Sequence, residues 1–231
     1  MVNIQDELKT MWNNSATLTG TAGLMLLALA AFTIGLLLDP RTVGGAPAWL
    51  KPAKFAISTS LFCGTLAWLF RYLTVWPRIL KLIAGVISLT LIIEVAIIAL
   101  QAARGRTSHF NVATPLDAGL FVTMGVCIIV LWLATVMVLI ALFRQRFQDP
   151  AWGWWLRLGM LVTVLGALAG GMMLGLTSEQ RQAAESGHRL TAVGGHTVGG
   201  PDGGPGLPGT GWSTRAISPR SNAFTPRFWS A

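Results

Sequence analysis

Long uninterrupted runs of apolar residues dominate the pattern along this chain. The hydrocarbon core of a bilayer is about 30 Å thick, and a helix needs about 20 residues to cross it. Five runs reach about that length, and they cover residues 17–38, 55–73, 79–100, 118–143 and 154–176. A lone span must satisfy its own backbone hydrogen bonds within lipid, so each run is predicted to be an α-helix. The expected fold class is all-α: a polytopic membrane helix bundle with about five transmembrane helices.

The segments on either side of the bundle (residues 17–176) lack such runs. Residues 1–16 contain Asp6, Glu7 and a single lysine, Lys9. This is atypical of the basic start of a cleavable signal peptide, and we interpret the segment as a short amphipathic lead-in. Residues 177–231 are rich in Gly, Pro, Ser and Arg. This composition buries too little apolar surface to offset the entropy of ordering, so it predicts a largely disordered C-terminal tail.

The tail contains the stretch GGHTVGGPDGGPGLPGTGW, which has a literal G-x-G-x-x-G at Gly204, Gly206 and Gly209. A dinucleotide-binding loop of this type needs a strand before it and a helix after it. Pro205 and Pro208 interrupt the motif, and no strand pattern precedes it. The Gly-Lys-Ser/Thr of a Walker A loop does not occur either, so we exclude nucleotide binding by this stretch.

Composition supports the membrane assignment and argues against nucleic acid as a partner. The chain is 53% hydrophobic and 11% charged, whereas soluble domains carry about 25% charged residues. So few charges cannot cover a water-exposed surface, and a lipid bilayer is therefore the predicted partner. The net charge is +8, but the basic residues stand singly or in pairs between apolar runs, unlike the basic stripe of a nucleic-acid-binding protein.

The residues of the connections indicate how the bundle is oriented in the membrane. Lys and Arg divide equally between the two sides, so the positive-inside rule alone does not decide. The second and fourth connections, RYLTVWPRILK and RQRFQDPAWGWWLR, have the Arg and Trp content of interfacial turns. The first and third connections carry more varied polar chemistry. We therefore expect an inner-membrane protein with a cytoplasmic N-terminus and an extracytoplasmic tail.

Glu94 is the most unusual single residue in the apolar runs. It stands six residues before the end of the third run, about 9 Å along a helix. A carboxylate at that depth is costly, so it normally faces the bundle interior and has a partner. Lys54 is the nearest candidate cation, and Arg104 and Arg106 are alternatives. An equal alternative is a protonated or paired glutamate that only fixes helix packing.

Helix parity brings the first connection, the third connection and the tail to one side of the membrane. A candidate ligand or ion site on this side consists of Glu94, Lys54, Gln101, Arg104, His109 and Asp117. The three histidines, His109, His188 and His196, also fall here. They are weak metal candidates, because no two share a helical spacing such as H-x-x-x-H. The sequence predicts no metal site or catalytic residue and identifies no cofactor.

The fifth run places Ala167, Gly171 and Gly175 on one helical stripe. Small residues at this spacing let two helices approach closely. We expect the stripe to serve helix packing, either within the bundle or against a second copy of the chain or a partner membrane subunit.

Three loop motifs carry a resemblance to known proteins: TVGGAPAWLKPAKF, GRTSHFNVATPLD and GHTVGGPDGGPGLPGTGWST. Over most of residues 39–215 the chain resembles an uncharacterised family of bacterial multi-spanning inner-membrane proteins. The resemblance implies the class and brings no activity. It also implies further apolar spans after the Gly-rich loop, where this chain reads AISPRSNAFTPRFWSA. One hypothesis, testable by resequencing, is therefore a truncated or frame-shifted C-terminus.

Three functions are compatible with these patterns. The first is a transporter, channel or ligand sensor that binds or moves a small molecule or ion through a polar site at the extracytoplasmic face. The second, which the sequence favours less, is a metal or redox protein or an enzyme built on the histidines and nearby acids. The third is a structural or assembly subunit, in which Glu94 and the small-residue stripe only specify packing.

Overall fold

A computed structural model of the chain describes residues 3–43 and 46–170. The described residues form six α-helices, which are α1 Ile4–Asn14, α2 Ala16–Leu38, α3 Leu50–Leu69, α4 Pro77–Ala103, α5 Pro115–Arg144 and α6 Pro150–Gly170. A 3-10 turn at Phe70–Tyr72 extends α3. Between α2 and α3, the short strands β1 (Thr42–Val43) and β2 (Ala46–Pro47) pair in antiparallel fashion. The predicted all-α class is confirmed.

Five of these helices, α2 to α6, are long and apolar enough to cross a membrane. All five begin earlier than the apolar runs predict, and three of them do so by three to five residues, at Leu50, Pro115 and Pro150. Their first turns contain proline and polar residues, which a helix accepts there because the first N–H groups have no partner within the helix. The end of the fifth predicted run and the whole tail lie outside the described residues.

The lead-in segment forms the amphipathic helix α1. The Asn3 side chain caps its start by accepting a hydrogen bond from the backbone N–H of Gln5, at 3.1 Å. Ile4, Leu8 and Trp12 are exposed, and their spacing of four residues puts them along one side of the helix. Such a stripe of apolar residues on a polar helix is typical of a helix that lies in the membrane interface.

The main core fills the half of the bundle next to the second and fourth connections. It joins α3, α4, α5 and α6 around Leu66, Ile87, Val138 and Leu142, and Leu18 of α2 packs against it. A smaller cluster of Ile97, Ile98 and Met124 lies between α4 and α5, towards the opposite end. Many other large apolar side chains of the five spans point outward and are exposed, as a lipid-facing exterior requires.

Side-chain hydrogen bonds to backbone carbonyls join neighbouring helices. The Ser60 hydroxyl on α3 donates to the carbonyl of Ala22 on α2, at 2.9 Å. The indole N–H of Trp132 on α5 donates to the carbonyl of Val164 on α6, at 3.1 Å. Both carbonyls belong to helix interiors and use a second lone pair for this contact. These bonds fix how α2 and α6 are placed against the central helices.

Aromatic and basic side chains cluster at the end of the bundle that holds the second and fourth connections. The rings of Trp68, Tyr72 and Trp152 meet edge to face at 5.1–6.1 Å. The Arg157 guanidinium lies 5.4–5.6 Å from the centres of three rings, those of Phe143, Phe147 and Trp154. Trp, Tyr and Arg collect in this way at the interface between lipid and water, which agrees with the interfacial turns expected from the sequence.

Candidate functional site

Most of the predicted site residues meet at the other end of the bundle. We call this end the loop face. It comprises the first connection (residues 39–49), the start of α3, the end of α4, the third connection (residues 104–114) and the start of α5. Residues 44 and 45 lie outside the described part of the chain.

Asp39, directly after α2, organises the first connection. The Arg41 guanidinium donates to both of its carboxylate oxygens, with Nη2 at 2.6 Å from Oδ2 and Nε at 2.9 Å from Oδ1. The indole N–H of Trp49 also donates to Oδ2, at 2.8 Å. Bidentate Arg–carboxylate pairs fix geometry as well as charge. The carboxylate therefore holds the two ends of the connection together.

The same contacts stabilise the charged form of Asp39. The hydrogen bonds from the side chains of Arg41 and Trp49, and then that from the Arg41 backbone, lower the pKa of the Asp39 carboxyl well below its ordinary range. A donor that binds a carboxylate favours its ionised form, because protonation removes an acceptor. Asp39 thus remains charged under ordinary conditions.

Trp49 lies against a glycine of α2. Its indole stacks on the Phe32 ring, with centroids 5.8 Å apart. A Cβ at Gly35 would stand 2.8 Å from the Trp49 Cγ, closer than van der Waals contact allows. Gly35 is therefore the residue that lets Trp49 reach both α2 and Asp39.

Arg41 also joins the first connection to the third. Its Nη1 donates to the carbonyl of Ala103, the last residue of α4, at 3.0 Å. The last carbonyls of a helix have no partner within it, so a cation there satisfies an acceptor and complements the helix dipole. Gly105 follows with φ +67°, and the Arg106 N–H returns to the Gln101 carbonyl at 2.9 Å. This left-handed turn ends α4 in the manner of a Schellman motif.

Asp117 is the most completely buried charged residue of the loop face. Its Oδ1 accepts from Arg104 Nη1 at 2.8 Å and from the Gln101 amide at 3.0 Å. Its Oδ2 accepts from Arg106 Nη1 at 2.6 Å and from the Thr114 hydroxyl at 2.7 Å. Four donors around one carboxylate satisfy a buried charge. The cluster fastens the end of α4 to the start of α5.

The local sequence TPLD explains how Asp117 is positioned. Thr114 is the N-cap of α5, and its hydroxyl accepts from the Asp117 backbone N–H at 3.1 Å while donating to the Asp117 carboxylate. Pro115 occupies the first helical turn, where no N–H is needed. An acid three residues after a threonine N-cap matches the capping-box pattern, with Asp in place of Glu.

Lys51 and His109 connect α3 to the third connection. The Lys51 ammonium lies 3.0 Å from His109 Nδ1, and the Ser108 hydroxyl lies 3.0 Å from the same nitrogen. An ammonium can only donate, so Nδ1 is the acceptor and the proton of a neutral imidazole resides on Nε2. The ring of Phe55 packs beside the imidazole, with centroids 5.7 Å apart.

A cavity of about 440 Å³ opens between β2, the start of α3, the end of α4 and the third connection. We call it the loop-face cavity. Lys51, Lys54 and Arg106 are its charged lining residues. No aspartate or glutamate lines it within residues 3–43 and 46–170. The rest of the wall is largely apolar and includes Phe55 and Ile98.

Glu94 occupies a second cavity, of about 470 Å³, deeper in the bundle. We call it the Glu94 chamber. The glutamate is 4% exposed. Lys54, the cation suggested for it by sequence, is exposed and lines the loop-face cavity instead. The structure does not pair these two residues, which line different cavities and form no ion pair with each other.

The other residues of the predicted site lie in two groups on the loop face. Gln101, Arg104 and Asp117 form one hydrogen-bonded cluster, and His109 joins Lys51 beside it. The two alternative cations for Glu94, Arg104 and Arg106, pair with Asp117. Sequence reasoning missed Trp49 and Thr114. The TPLD capping pattern was a usable signal for Thr114, whereas nothing local to Trp49 indicates its contact with Asp39.

Metal and packing candidates lie partly beyond the described residues. Residues 3–43 and 46–170 contain no group of three or more His, Cys, Asp or Glu that could hold a metal ion. His188, His196, Gly171 and Gly175 fall outside those residues. Ala167, the first member of the small-residue stripe, lines the Glu94 chamber.

Comparison of the chain with known protein families, with curated proteins and with solved structures finds no match. The geometry of the loop face and of the Glu94 chamber is therefore the basis for a functional proposal on a multi-pass membrane protein with five candidate spans.

Proposed function

We propose that this membrane protein binds a small anionic molecule with an apolar part in the loop-face cavity. One observation carries the proposal: three cationic side chains, and no carboxylate among the described residues, line a largely apolar cavity. Apolar pockets with a few convergent polar groups are the usual form of small-molecule sites, and their volumes run from about 300 to 1,000 Å³. The cations would bind the charged group, and Phe55 and Ile98 would pack against the apolar part.

The three cationic side chains of the cavity differ in how far other residues already bind them. Asp117 pairs with Arg106 at 2.6 Å and shares its single negative charge between Arg106 and Arg104. Lys51 donates one hydrogen bond to the neutral His109, and an ammonium has three N–H groups. Lys54 forms no hydrogen bond or ion pair with the residues described by the structure. The two lysines therefore supply most of the positive charge available to an anion.

The proposal sets the loop face on the extracytoplasmic side of a bacterial inner membrane. The opposite end carries the Arg–aromatic cluster around Arg157 and Trp152, which is typical of an interfacial anchor. Arg144 there lies 5.0 Å from the centre of the Trp76 ring. The cytoplasmic position of this end and of the N-terminus is part of the same proposal.

Binding can be measured with hexyl phosphate as the probe and the purified protein in phosphatidylcholine nanodiscs. We expect saturable binding, and roughly tenfold weaker binding to the double variant Lys51→Gln/Lys54→Gln, which corresponds to about 1.4 kcal/mol. Lys9→Gln, a lysine of α1 far from the cavity along the chain, is the matched control and should bind like the wild type. Repeating the titration with phosphatidylglycerol in the nanodiscs distinguishes a lipid headgroup, which would compete, from a free anion.

Two results would refute the proposal. Hexanol, which lacks the charge, must bind much more weakly than hexyl phosphate, so equal binding of both would contradict a cationic site. Unchanged affinity in a correctly folded Lys51→Gln/Lys54→Gln variant would show that the probe binds elsewhere.

A further inference from the structure

The Glu94 chamber lies between the two hydrophobic clusters of the bundle. Residues of α3, α4, α5 and α6 line it. Leu91, one turn before Glu94 on α4, belongs to the main core, and Ile97, one turn after it, belongs to the smaller cluster. The chamber is therefore a gap between the two packed clusters, at the level of Glu94 along α4.

No described residue neutralises this carboxylate. Glu94 has no hydrogen bond and no ion pair with any residue in the described part of the chain, and no Lys or Arg lines the chamber. An ionised carboxylate without a partner in an apolar environment is strongly unfavourable. Glu94 is therefore either protonated and neutral, or ionised and paired with a cation that enters the chamber.

Two of the four hydroxyl groups with which the described residues line the chamber suit a cation better than an anion, and the other two, of Ser58 and Thr59, can donate or accept. The hydroxyls of Thr135 and Thr163 donate to carbonyls of their own helices, at 2.8 and 2.9 Å. With their protons committed, these oxygens face the chamber as acceptors. They can receive N–H donors or solvate positive charge, whereas an anion would find no donor in them.

Three aromatic rings complete the wall, those of Phe55, Phe62 and Trp132. The Trp132 ring is held in place by its hydrogen bond to Val164. Aromatic faces attract organic cations, and Trp does so most strongly. A metal ion is a poor fit, because hard cations such as Ca²⁺ need about six or more oxygen ligands and the chamber offers one carboxylate.

The rim of the chamber is apolar and open to the exterior of the bundle. Ile128, Ile129 and Leu168 line it and are exposed. A ligand that partitions into lipid can therefore reach Glu94 from the side, within the membrane.

We propose that the Glu94 chamber binds a lipophilic organic cation, such as an amine or quaternary cation with several apolar groups. Glu94 supplies the counter-charge, the aromatic rings contact the apolar groups and the threonine oxygens solvate the remaining positive charge. This site is separate from the loop-face cavity and selects the opposite charge.

The test uses tetraphenylphosphonium and the purified chain in phosphatidylcholine nanodiscs, with empty nanodiscs to correct for partitioning into lipid. We expect saturable binding to the wild type and at least tenfold weaker binding to Glu94→Gln. Glu7→Gln is the matched control, because it removes a carboxylate of α1 that pairs with Arg71, and it should bind like the wild type. Tetraphenylborate, an anion of the same shape, should bind much more weakly than the cation.

A Glu94→Gln variant that is folded and binds tetraphenylphosphonium normally would overturn the proposal. Equal or tighter binding of tetraphenylborate to the wild type would also overturn it, and this result needs no variant to fold. The two sites can be tested apart, because Lys51→Gln/Lys54→Gln should keep tetraphenylphosphonium binding and Glu94→Gln should keep hexyl phosphate binding.

Discussion

Asp39 and Asp117 are the two carboxylates that hold the loop face together, and they do so differently. Asp39 is half-buried and joins residues of one connection through Arg41 and Trp49. Asp117 is buried and joins the ends of two helices through Arg104 and Arg106. Each carboxylate is surrounded by donors, so replacing either one leaves cationic groups without their acceptor.

The lowered pKa of Asp39 gives a pH-dependent prediction. A carboxyl whose pKa is lower in the folded state stabilises that state above its unfolded pKa, about 3.9, and loses this contribution as the pH falls towards the folded value. We expect Asp39→Asn to unfold at a lower temperature than the wild type at neutral pH. The difference should narrow below about pH 3.9, because the carboxyl of the unfolded wild type then begins to protonate while that of the folded state stays charged.

Thermal unfolding in detergent can be followed by the fluorescence of the ten tryptophans of the chain, which can be used at acid as well as neutral pH. Asp6→Asn is the control, because no hydrogen bond or ion pair of the Asp6 side chain occurs among the described residues. A gap between Asp39→Asn and the wild type that stays constant from neutral to strongly acid pH would contradict the assigned role.

At the scale of elements, α2 and α3 are joined through the first connection by a close approach. Trp49 stands one residue before α3, and its ring covers Gly35 on α2. The Ser60 hydroxyl adds a second contact between the helices nearer the middle of the membrane. The position of α3 relative to α2 therefore depends on Gly35, whose lack of a side chain leaves room for the Trp49 ring.

Gly35→Ala should destabilise the protein because its Cβ would stand 2.8 Å from the Trp49 ring. The ring must shift, which disturbs its hydrogen bond to Asp39. Gly23→Ala on the same helix is the matched control, since nothing lies within 4 Å of its added Cβ, and alanine is the better helix former. We expect a lower unfolding temperature for Gly35→Ala and an unchanged or higher one for Gly23→Ala.

The difference in unfolding temperature between Gly35→Ala and Gly23→Ala is the quantity that tests this role of Gly35. Equal unfolding temperatures for both variants would show that Trp49 moves aside without cost. In that case the close approach would not determine how α2 and α3 are joined.

At the scale of the whole molecule, two cavities have charged side chains of opposite sign in their walls. The loop-face cavity is basic, with Lys51, Lys54 and Arg106, whereas the described residues that line the Glu94 chamber include one carboxylate and no Lys or Arg. Phe55 lines both cavities. Lys54 and Glu94, which the sequence placed in one polar site, thus line two different cavities.

The alternation of spans predicts which exposed positions share a side of the membrane. Ala113, before α5, and Gln148, before α6, are exposed and lie at opposite ends of α5. In sealed right-side-out vesicles, a membrane-impermeant maleimide should label Ala113→Cys and should label Gln148→Cys only after permeabilisation. The wild type, whose two cysteines are buried, gives the background.

Labelling of Ala113→Cys and Gln148→Cys tests two things: whether α5 crosses the membrane and which end of the bundle faces outside. Labelling of both positions from one side would contradict a membrane crossing by α5. Labelling of Gln148→Cys alone from outside would retain the five-span arrangement and reverse the proposed orientation.

The sequence by itself determined the class of this protein and the approximate extent of its spans. Apolar runs of about 20 residues have one stable form in lipid, so length and composition were enough. The chain also carries a local signal at Asp117 that was missed, because a threonine cap and an acid three residues later act within one helical turn. The sequence also predicts that Glu94 faces the bundle interior, because a carboxylate within an apolar run is costly in lipid.

Only the tertiary structure decided which side chains meet. Parity assigns a residue to one side of the membrane, but the rotation of each helix about its axis decides its partners. Lys54 and Glu94 share a side yet line different cavities, and Trp49 reaches Asp39 because Gly35 leaves room for its ring. Such contacts depend on packing between helices distant in sequence, and no local pattern of polar and apolar residues encodes them.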